Sequence, residues 1–288
     1  MFIDVHTHAY RCRAPVFNFP LPEEVLKRFD ELQIEKGAVL PLIGPEVYIP
    51  QANEDILEMA ERWPDRFVPF CNVDPRCVSN SPDAPLGDVL RYYRDKGCRG
   101  LGELMPNLPF LDPLVQNLFK HAQDVGLPIT IDMSSRCGYG GGYGLYDDPG
   151  LPQIEACLRR FPKLVIVGHG PPFWAEIARL ETVGDRAGYP NYPVREEGAV
   201  PKLFRRYPNL WADLSAGSGY NALARDPEYA VKFLNEFQDR LMFGTDICTP
   251  TQDLPLAGFL LKLKDAGKLP EPAFRKIARE NAIRLYKL

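Results

Sequence analysis

The N-terminal segment of the chain ends in two histidines separated by one residue, His6 and His8. The residues before them, Phe2 to Val5, are too few for a helix and are typical of a buried β-strand. Because side chains two positions apart in a strand lie on the same side, both imidazoles would face the same way. A divalent metal ion binds two neutral imidazoles at once, whereas protonated imidazoles repel each other. The alternative interpretation is a hydrogen-bonded core histidine next to a solvated one.

Four more ionisable residues each end an apolar segment elsewhere in the chain. They are Glu103, Asp132, His169 and Asp246. A single polar residue at a strand end is usually solvated. Together with the first segment, however, five segments that end in His, Glu or Asp favour a common metal site over coincidence. Asp213 ends a further segment and is a weaker candidate for a supporting role, and His121 lies in a helical segment and is expected to be structural or at the surface.

Short apolar segments alternate along the chain with longer segments of helical periodicity, which is typical of βα units around a parallel sheet. The predicted strands are Phe2 to Val5, Ala38 to Ile43, Phe67 to Val73, Gly100 to Leu104, Pro128 to Met133, Leu164 to Gly168, Leu210 to Leu214 and Leu241 to Thr245. The predicted helices are Glu54 to Trp63, Pro85 to Lys96, Pro113 to Val125, Leu151 to Phe161, Trp174 to Leu180, Pro201 to Arg206, Tyr229 to Phe237 and Leu256 to Ala266. Eight such units predict an α/β fold, a (β/α)₈ TIM barrel that forms a single domain over residues 1–288, with Pro270 to Leu288 as a terminal helix on the outside.

Two long loops follow predicted strands, at the end of the barrel where enzymes build their sites. They are Tyr10 to Pro22 and Ser134 to Pro149. The second contains five glycines and two tyrosines within residues 138–144, so it is either a mobile lid or a floppy surface loop. It is not a phosphate-binding loop, because no Lys-Ser or Lys-Thr pair follows it.

Composition argues against several classes of partner. The 288 residues are 45% hydrophobic and 25% charged, with a formal net charge of −4 and no basic stripe, which argues against nucleic acid. The chain has no segment approaching about 18 consecutive apolar residues and no cationic, apolar leader, so we expect a soluble cytoplasmic protein without a membrane partner. The seven cysteines lack a Cys-x-x-Cys spacing, which predicts reduced thiols, most of them buried. Of these, Cys137 and Cys248 lie near candidate residues in sequence and could line a pocket.

The sequence resembles the amidohydrolase superfamily, specifically the amidohydrolase-2 branch that includes the aminocarboxymuconate-semialdehyde decarboxylase-like proteins. The resemblance spans nearly the whole chain, in segments 3–8, 161–170, 243–246 and 280–286. It implies a distorted barrel in which His6, His8 and Asp246 bind a divalent metal ion and His169 lies close by. The family usually has a metal-binding histidine where this chain has Asp132. An aspartate can bind zinc through oxygen, so the expected ion is zinc. It also makes the ligand set harder, so manganese is the alternative.

The expected ligands are His6, His8 and Asp246, followed by Glu103 and then Asp132. Relatives that use a fourth-strand carboxylate as a ligand leave a second ion open beside the one expected. A bound zinc ion lowers the pKa of its water toward ~7. Asp246 would then accept the proton of this water, and His169 would hydrogen-bond the developing oxyanion or act as the acid. Arg136 is the predicted anchor for an anionic substrate, with Arg11 and Arg13 as rivals.

Three functions are consistent with these residues. The first is a metal-dependent hydrolase that opens a small amide, lactone or ester. The second is a non-oxidative decarboxylase of an unsaturated or aromatic acid, and the third is a non-catalytic barrel that binds a metal ion or ligand. Fold alone does not choose among them. The expected partner is a small-molecule substrate, and the resemblance adds a homodimer to the expectations.

Overall fold

The structure is a computed structural model, and it describes residues 1–13, 17–47 and 51–288. Within this part of the chain, eight strands alternate with helices, and we label the strands β1 to β8 in chain order. They are Phe2–Thr7 (β1), Ile34–Val39 (β2), Phe67–Pro69 (β3), Leu101–Leu104 (β4), Ile129–Ile131 (β5), Ile166–Gly168 (β6), Leu210–Asp213 (β7) and Leu241–Met242 (β8). A short parallel pair, Met133–Ser134 with Leu145–Tyr146, follows β5.

The eight strands lie side by side in chain order. β1 to β3 form one parallel sheet, and β4 to β8 form a second. Two isolated parallel bridges join the sheets, from Cys71 to Leu101 between β3 and β4 and from Thr7 to Ile247 between β1 and the segment after β8. The amide of Gly102 also donates a hydrogen bond to the Cys71 carbonyl at 2.8 Å. The strands therefore follow one another around a ring, as predicted for a (β/α)₈ barrel.

Helices cover the outside of this ring. The α-helices are Pro22–Glu31, Asn53–Arg62, Leu86–Asp95, Pro113–Val125, Pro152–Arg160, Pro171–Ala175, Ala199–Arg206, Ala216–Ala224, Pro227–Glu236, Leu256–Asp265, Glu271–Arg275 and Asn281–Tyr286, with a 3₁₀ turn at Val183–Ala187 and a π-helical turn at Lys276–Glu280. No helix in the described ranges is long and apolar enough to cross a membrane.

Three helices differ from the sequence prediction. Helices Pro22–Glu31 and Ala216–Ala224 were not predicted, and Pro171–Ala175 replaces the predicted helix Trp174 to Leu180. The first of these helices has start signals that do not depend on the apolar pattern. Pro22 occupies its first turn, and Glu24 accepts a hydrogen bond from the Leu21 amide at 2.8 Å.

Most strands are shorter than their apolar segments. β3 ends at Pro69, although the apolar segment continues through Phe70 to Val73. Phe70 and Val73 are both buried, and Cys71 keeps only an isolated bridge to the next strand. The apolar pattern therefore reports burial at the rim of the barrel rather than continued strand pairing. β2 is displaced in the other direction: it begins at Ile34 and ends at Val39, not Ile43.

The interior of the ring is filled by a separate apolar cluster. Its members come from six strands and the terminal helix, and they are Ile3, Val5, Ala38, Leu40, Val68, Phe70, Val167, Trp211, Met242, Ala282 and Tyr286. The ring of Tyr286 packs edge-on against Phe70, with centroids 5.0 Å apart. The terminal helix was expected on the outside, but two of its side chains belong to this interior cluster because both are fully buried among strand residues.

Asn281 fastens the terminal helix to β8. Its buried side-chain amide donates to the carbonyls of Gln238 at 2.7 Å and Leu241 at 2.8 Å. Asn281→Ala would leave both acceptors without this donor, so we expect the free energy of unfolding to fall by about 2–3 kcal/mol. Urea denaturation measures the change. The exposed Asn191 is the matched control, because Asn191→Ala should shift stability by less than ~0.5 kcal/mol. Equal effects in the two variants would contradict the assigned role.

Candidate metal centre

Four of the predicted side chains meet at the carboxyl end of the ring. Glu103 Oε2 lies 3.4 Å from His6 Nε2 and 3.4 Å from His8 Nε2. Asp246 Oδ1 lies 3.2 Å from His8 Nε2 and 3.7 Å from His6 Nε2. The histidines come from the end of β1, Glu103 from β4 and Asp246 from the segment after β8. Residues far apart along the chain thus share one small volume.

The hydrogen bonds on the far side of each imidazole fix which nitrogen is free. His8 Nδ1 lies 2.9 Å from the Leu40 carbonyl oxygen, which can only accept, so Nδ1 carries the proton and the neutral ring keeps a lone pair on Nε2. His6 Nδ1 lies 3.1 Å from Asp213 Oδ2, which has the same effect. His6 Nε2 is buried and has no hydrogen-bond partner within the described residues. Two lone pairs and two carboxylate oxygens therefore converge, and such a group needs a cation.

The donor set fits one divalent ion. Ligand atoms ~2.0–2.2 Å from a common zinc ion would be about 3.3–3.6 Å apart in a tetrahedron. The four imidazole–carboxylate distances of 3.4, 3.7, 3.4 and 3.2 Å are close to this range. Two nitrogens and two oxygens suit zinc, and the oxygens are also acceptable to manganese. The electrostatics agree: burial lowers the pKa of His8, but Asp246 and Glu103 more than offset this and raise it to about 9. The site attracts positive charge.

Asp4 joins the two segments that carry His6 and Asp246. Its Oδ1 accepts hydrogen bonds from the amides of His6 and Thr245, each at 3.0 Å. The amide of Asp246 donates to the His6 carbonyl at 2.7 Å, and Asp246 adopts a left-handed backbone with φ of 56°. This conformation is costly for a residue with a Cβ, although aspartate tolerates it better than most. Asp4 is not among the predicted site residues, and the one feature that marks it in the sequence is an acidic residue within an otherwise apolar segment.

Asp213 connects this centre to His169. Its Oδ1 lies 2.9 Å from His169 Nδ1, while its Oδ2 contacts His6. The Ser215 hydroxyl donates to the same Oδ1 and lies 3.0 Å from His169 Nδ1. Burial raises the pKa of Asp213, but the two imidazoles overcome this effect and lower it well below its ordinary value. One fully buried carboxylate therefore orients both histidines, as carboxylates commonly do for metal-ligating imidazoles.

His169 and Asp132 lie beside the four converging atoms. His169 Nε2 is 3.7 Å from Glu103 Oε1. Asp132 forms a compact ligand group with these two residues, by which we mean that one potential ligand atom from each lies within 4.8 Å of the others. Among the described residues, none of the compact ligand groups combines Asp132 with His6 or His8. Gly170, with φ of 93°, makes room for this arrangement, because a Cβ there would lie 2.2 Å from Asp132 Oδ1. Burial and the Glu103 charge raise the pKa of Asp132 to about 8.

The predicted arginine anchors lie outside this cluster. Arg136 is exposed, and its guanidinium has no hydrogen-bond partner among the described residues. Arg11 pairs with Asp55 at 3.3 Å, and Arg13 donates to Glu24 at 2.5 Å. The two rivals are thus occupied elsewhere, and Arg136 as a substrate anchor stays a prediction. His121 lies in helix Pro113–Val125 and faces Gly87 of a neighbouring outer helix.

All seven cysteines are free thiols. The expectation that most are buried was wrong, because Cys12, Cys77 and Cys137 are exposed and Cys248 is half-buried. Cys248 Sγ lies 3.2 Å from Asp246 Oδ1, so it borders the centre.

Comparison with known proteins places this geometry in context. Residues 45–288 match the family model described as Amidohydrolase, a match that begins after His6 and His8. An uncharacterised TIM-barrel protein from Bordetella bronchiseptica superimposes with a TM-score of 0.67 at 17% identity, over 99% of this chain and 97% of that one. A probable 2-pyrone-4,6-dicarboxylic acid hydrolase from Acinetobacter baumannii gives 0.60 at 12% identity, over 100% and 99% of the two chains. The 5-carboxyvanillate decarboxylase from Sphingomonas paucimobilis gives 0.61 at 16% identity, over 100% and 99%. The curated proteins contain no match to the chain.

Proposed function

Since this chain belongs to the amidohydrolase family, we propose that it is a metal-dependent hydrolase that opens a small amide, lactone or ester. The observation that carries the proposal is the convergence of two imidazole lone pairs and two carboxylate oxygens beside an oriented third histidine. His6, His8, Asp246 and Glu103 would hold the ion, which we take to be zinc, with manganese as the alternative.

The ion would supply two effects when bound, because a divalent cation polarises a scissile carbonyl and lowers the pKa of water. The side chain of Asp246 is 18% exposed, compared with 0% for His6, 1% for His8 and 7% for Glu103. It is therefore the carboxylate of this group that water reaches. In our proposal Asp246 accepts the proton of the attacking water and returns it to the leaving group.

His169 has the second role in this mechanism. Asp213 holds its Nδ1, so its Nε2 is the atom directed toward the centre and Glu103. Burial lowers the pKa of His169, but Asp213 and Glu103 raise it to about 9, so these carboxylates favour the protonated ring. This proton can hydrogen-bond the oxyanion that forms when the carbonyl is attacked.

A non-oxidative decarboxylase is the second candidate, and the same protonated His169 favours it. In that reaction Nε2 would deliver its proton to the substrate carbon. The bond between this carbon and the carboxylate would break, and its electron pair would form the new C–H bond as CO₂ leaves. The fold is also shared with the 5-carboxyvanillate decarboxylase.

The test is a panel assay on zinc- and manganese-loaded protein. We choose 2-pyrone-4,6-dicarboxylate and simple lactones, esters and amides for hydrolysis, and 2,6-dihydroxybenzoate and 5-carboxyvanillate for decarboxylation. Hydrolysis of lactones and esters is expected to release protons at a rate proportional to enzyme concentration, which a pH indicator follows. Amide hydrolysis releases no net proton near neutral pH, so it is followed by the amine that forms. Release of CO₂ without hydrolysis would replace the first proposal with the second. Retention of the ion with neither reaction would leave a barrel that only binds metal or ligand.

A further inference from the structure

A single side chain fastens both ends of the glycine-rich segment that follows β5, residues 136–144, which we call the glycine loop. The amide of Asn107 donates to the carbonyls of Arg136 at 2.9 Å and Gly144 at 3.3 Å. Its Oδ1 accepts from the Gly138 amide at 2.7 Å. Asn107 therefore uses its donors and its acceptor to hold one loop in one place.

The backbone of Asn107 is held in turn by residues of neighbouring loops. Its backbone amide donates to Glu46 Oε1 at 2.9 Å, and Arg76 bridges that carboxylate to Asp74. The Glu46 and Asp74 side chains are only 12% and 5% exposed, so this ion group is largely shielded from water. The loops after β2, β3 and β4 are thus joined to the glycine loop through Asn107.

The C-terminal end of the glycine loop is pressed against the strand end that carries Asp132. The Gly144 amide donates to the Met105 carbonyl at 2.7 Å, and the Leu145 amide donates to the Asp132 carbonyl at 2.9 Å. Gly144 has φ of 100°, and a Cβ there would lie 2.5 Å from the Met133 backbone. Tyr143 directly precedes these contacts, so its backbone is held next to the candidate metal centre.

The two tyrosines of the glycine loop have different surroundings. Tyr139 is fully exposed, whereas Tyr143 is about half exposed, at 52%. The Tyr143 hydroxyl has no hydrogen-bond partner among the described residues. The charge of Asp132, then burial, and then the charges of Glu103 and Asp246 raise the pKa of Tyr143, so its hydroxyl keeps its proton and remains a donor at neutral pH.

We propose that Asn107 positions the glycine loop so that the Tyr143 hydroxyl donates a hydrogen bond to an oxygen of the substrate bound at the metal centre. This donor would select acids that carry a carboxylate or carbonyl oxygen on a carbon other than the one that reacts. The exposed guanidinium of Arg136, at the start of the same loop, adds positive charge for such an anion. This inference rests on the proposed function.

The test compares Tyr143→Phe with Tyr139→Phe, a matched removal of one hydroxyl from the same loop. The probes are 2-pyrone-4,6-dicarboxylate and 2,6-dihydroxybenzoate, whichever the wild type turns over. Loss of one neutral hydrogen bond made equally in the ground and transition states should raise KM by about 3- to 10-fold with kcat little changed. Tyr139→Phe should leave both constants at the wild-type value.

Asn107→Asp separates positioning from folding, because it keeps the acceptor for Gly138 and loses both donor bonds. We expect it to raise KM as Tyr143→Phe does, without a further rise in the double variant and with metal content unchanged. An unchanged KM in Tyr143→Phe, or an equal rise in Tyr139→Phe, would overturn the inference while the proposed function stands. A wild type that neither binds nor turns over either probe would overturn the inference and count against the proposed function.

Discussion

His169→Asn is expected to lower kcat by about 10³-fold while the protein keeps its metal ion. Asparagine can occupy the space of the imidazole but carries neither a titrating proton nor a positive charge, so proton delivery is lost and oxyanion stabilisation is weakened. The metal ion should remain because His169 Nε2 lies 3.7 Å from Glu103 Oε1 and His169 is not part of the ligand group formed by His6, His8 and Glu103. Steady-state kinetics on the substrate found in the panel measures the first effect, and elemental analysis measures the second.

The fourth histidine supplies the control for this substitution. His121 lies on an outer helix against Gly87, so His121→Asn should leave both kcat and metal content unchanged. Loss of the ion in His169→Asn would reassign His169 as a ligand. A kcat within a few fold of the wild-type value would remove it from the mechanism.

His6→Ala is expected to lower the affinity for the metal ion by at least ~100-fold and to abolish turnover. The substitution removes the buried Nε2 that has no hydrogen-bond partner among the described residues, and it leaves Glu103 and Asp246 without this imidazole. The wild type should contain about one ion per chain after gel filtration. Elemental analysis of wild type, His6→Ala and His121→Ala in parallel measures the loss, and a second ion in the wild type would draw Asp132 or Cys248 into the ligand set.

Loss of the fold is the competing explanation for a metal-free His6→Ala, and His6→Asn addresses it. Asparagine keeps a side-chain amide that can contact Asp213, so the local packing should survive better than with alanine. Both variants should give the wild-type far-UV circular dichroism spectrum. A metal stoichiometry that is unchanged in both would contradict the assignment of His6, and with it the metal centre as described.

The order of strands and the end of the barrel that holds the site could be predicted from the sequence. His6, His8, Glu103 and Asp246 were recognised because each ends an apolar segment, and parallel strands bring such ends together. The contribution of each to a common ion depends on rotamers and strand twist, which sequence spacing does not encode. This is why Asp132 lies beside the four converging atoms although its position in sequence is equivalent.

Other features of the structure correspond to no periodic pattern in the sequence. Asn107 follows a proline in a loop and is indistinguishable in sequence from an ordinary turn residue, although three hydrogen bonds depend on its side chain. The terminal helix was predicted, but its apolar face does not say which surface it covers. Its entry into the barrel interior through Ala282 and Tyr286 is a property of the assembled ring.

The carboxylate of Asp213 is divided between two imidazoles, one oxygen for each. Any change in the charge on one ring alters how strongly the carboxylate attracts the other. If the proposed function holds, affinity for the cation and the acidity of His169 cannot be adjusted separately in this protein. A substitution that changes which ion His6 helps to bind would therefore also change the acidity of His169.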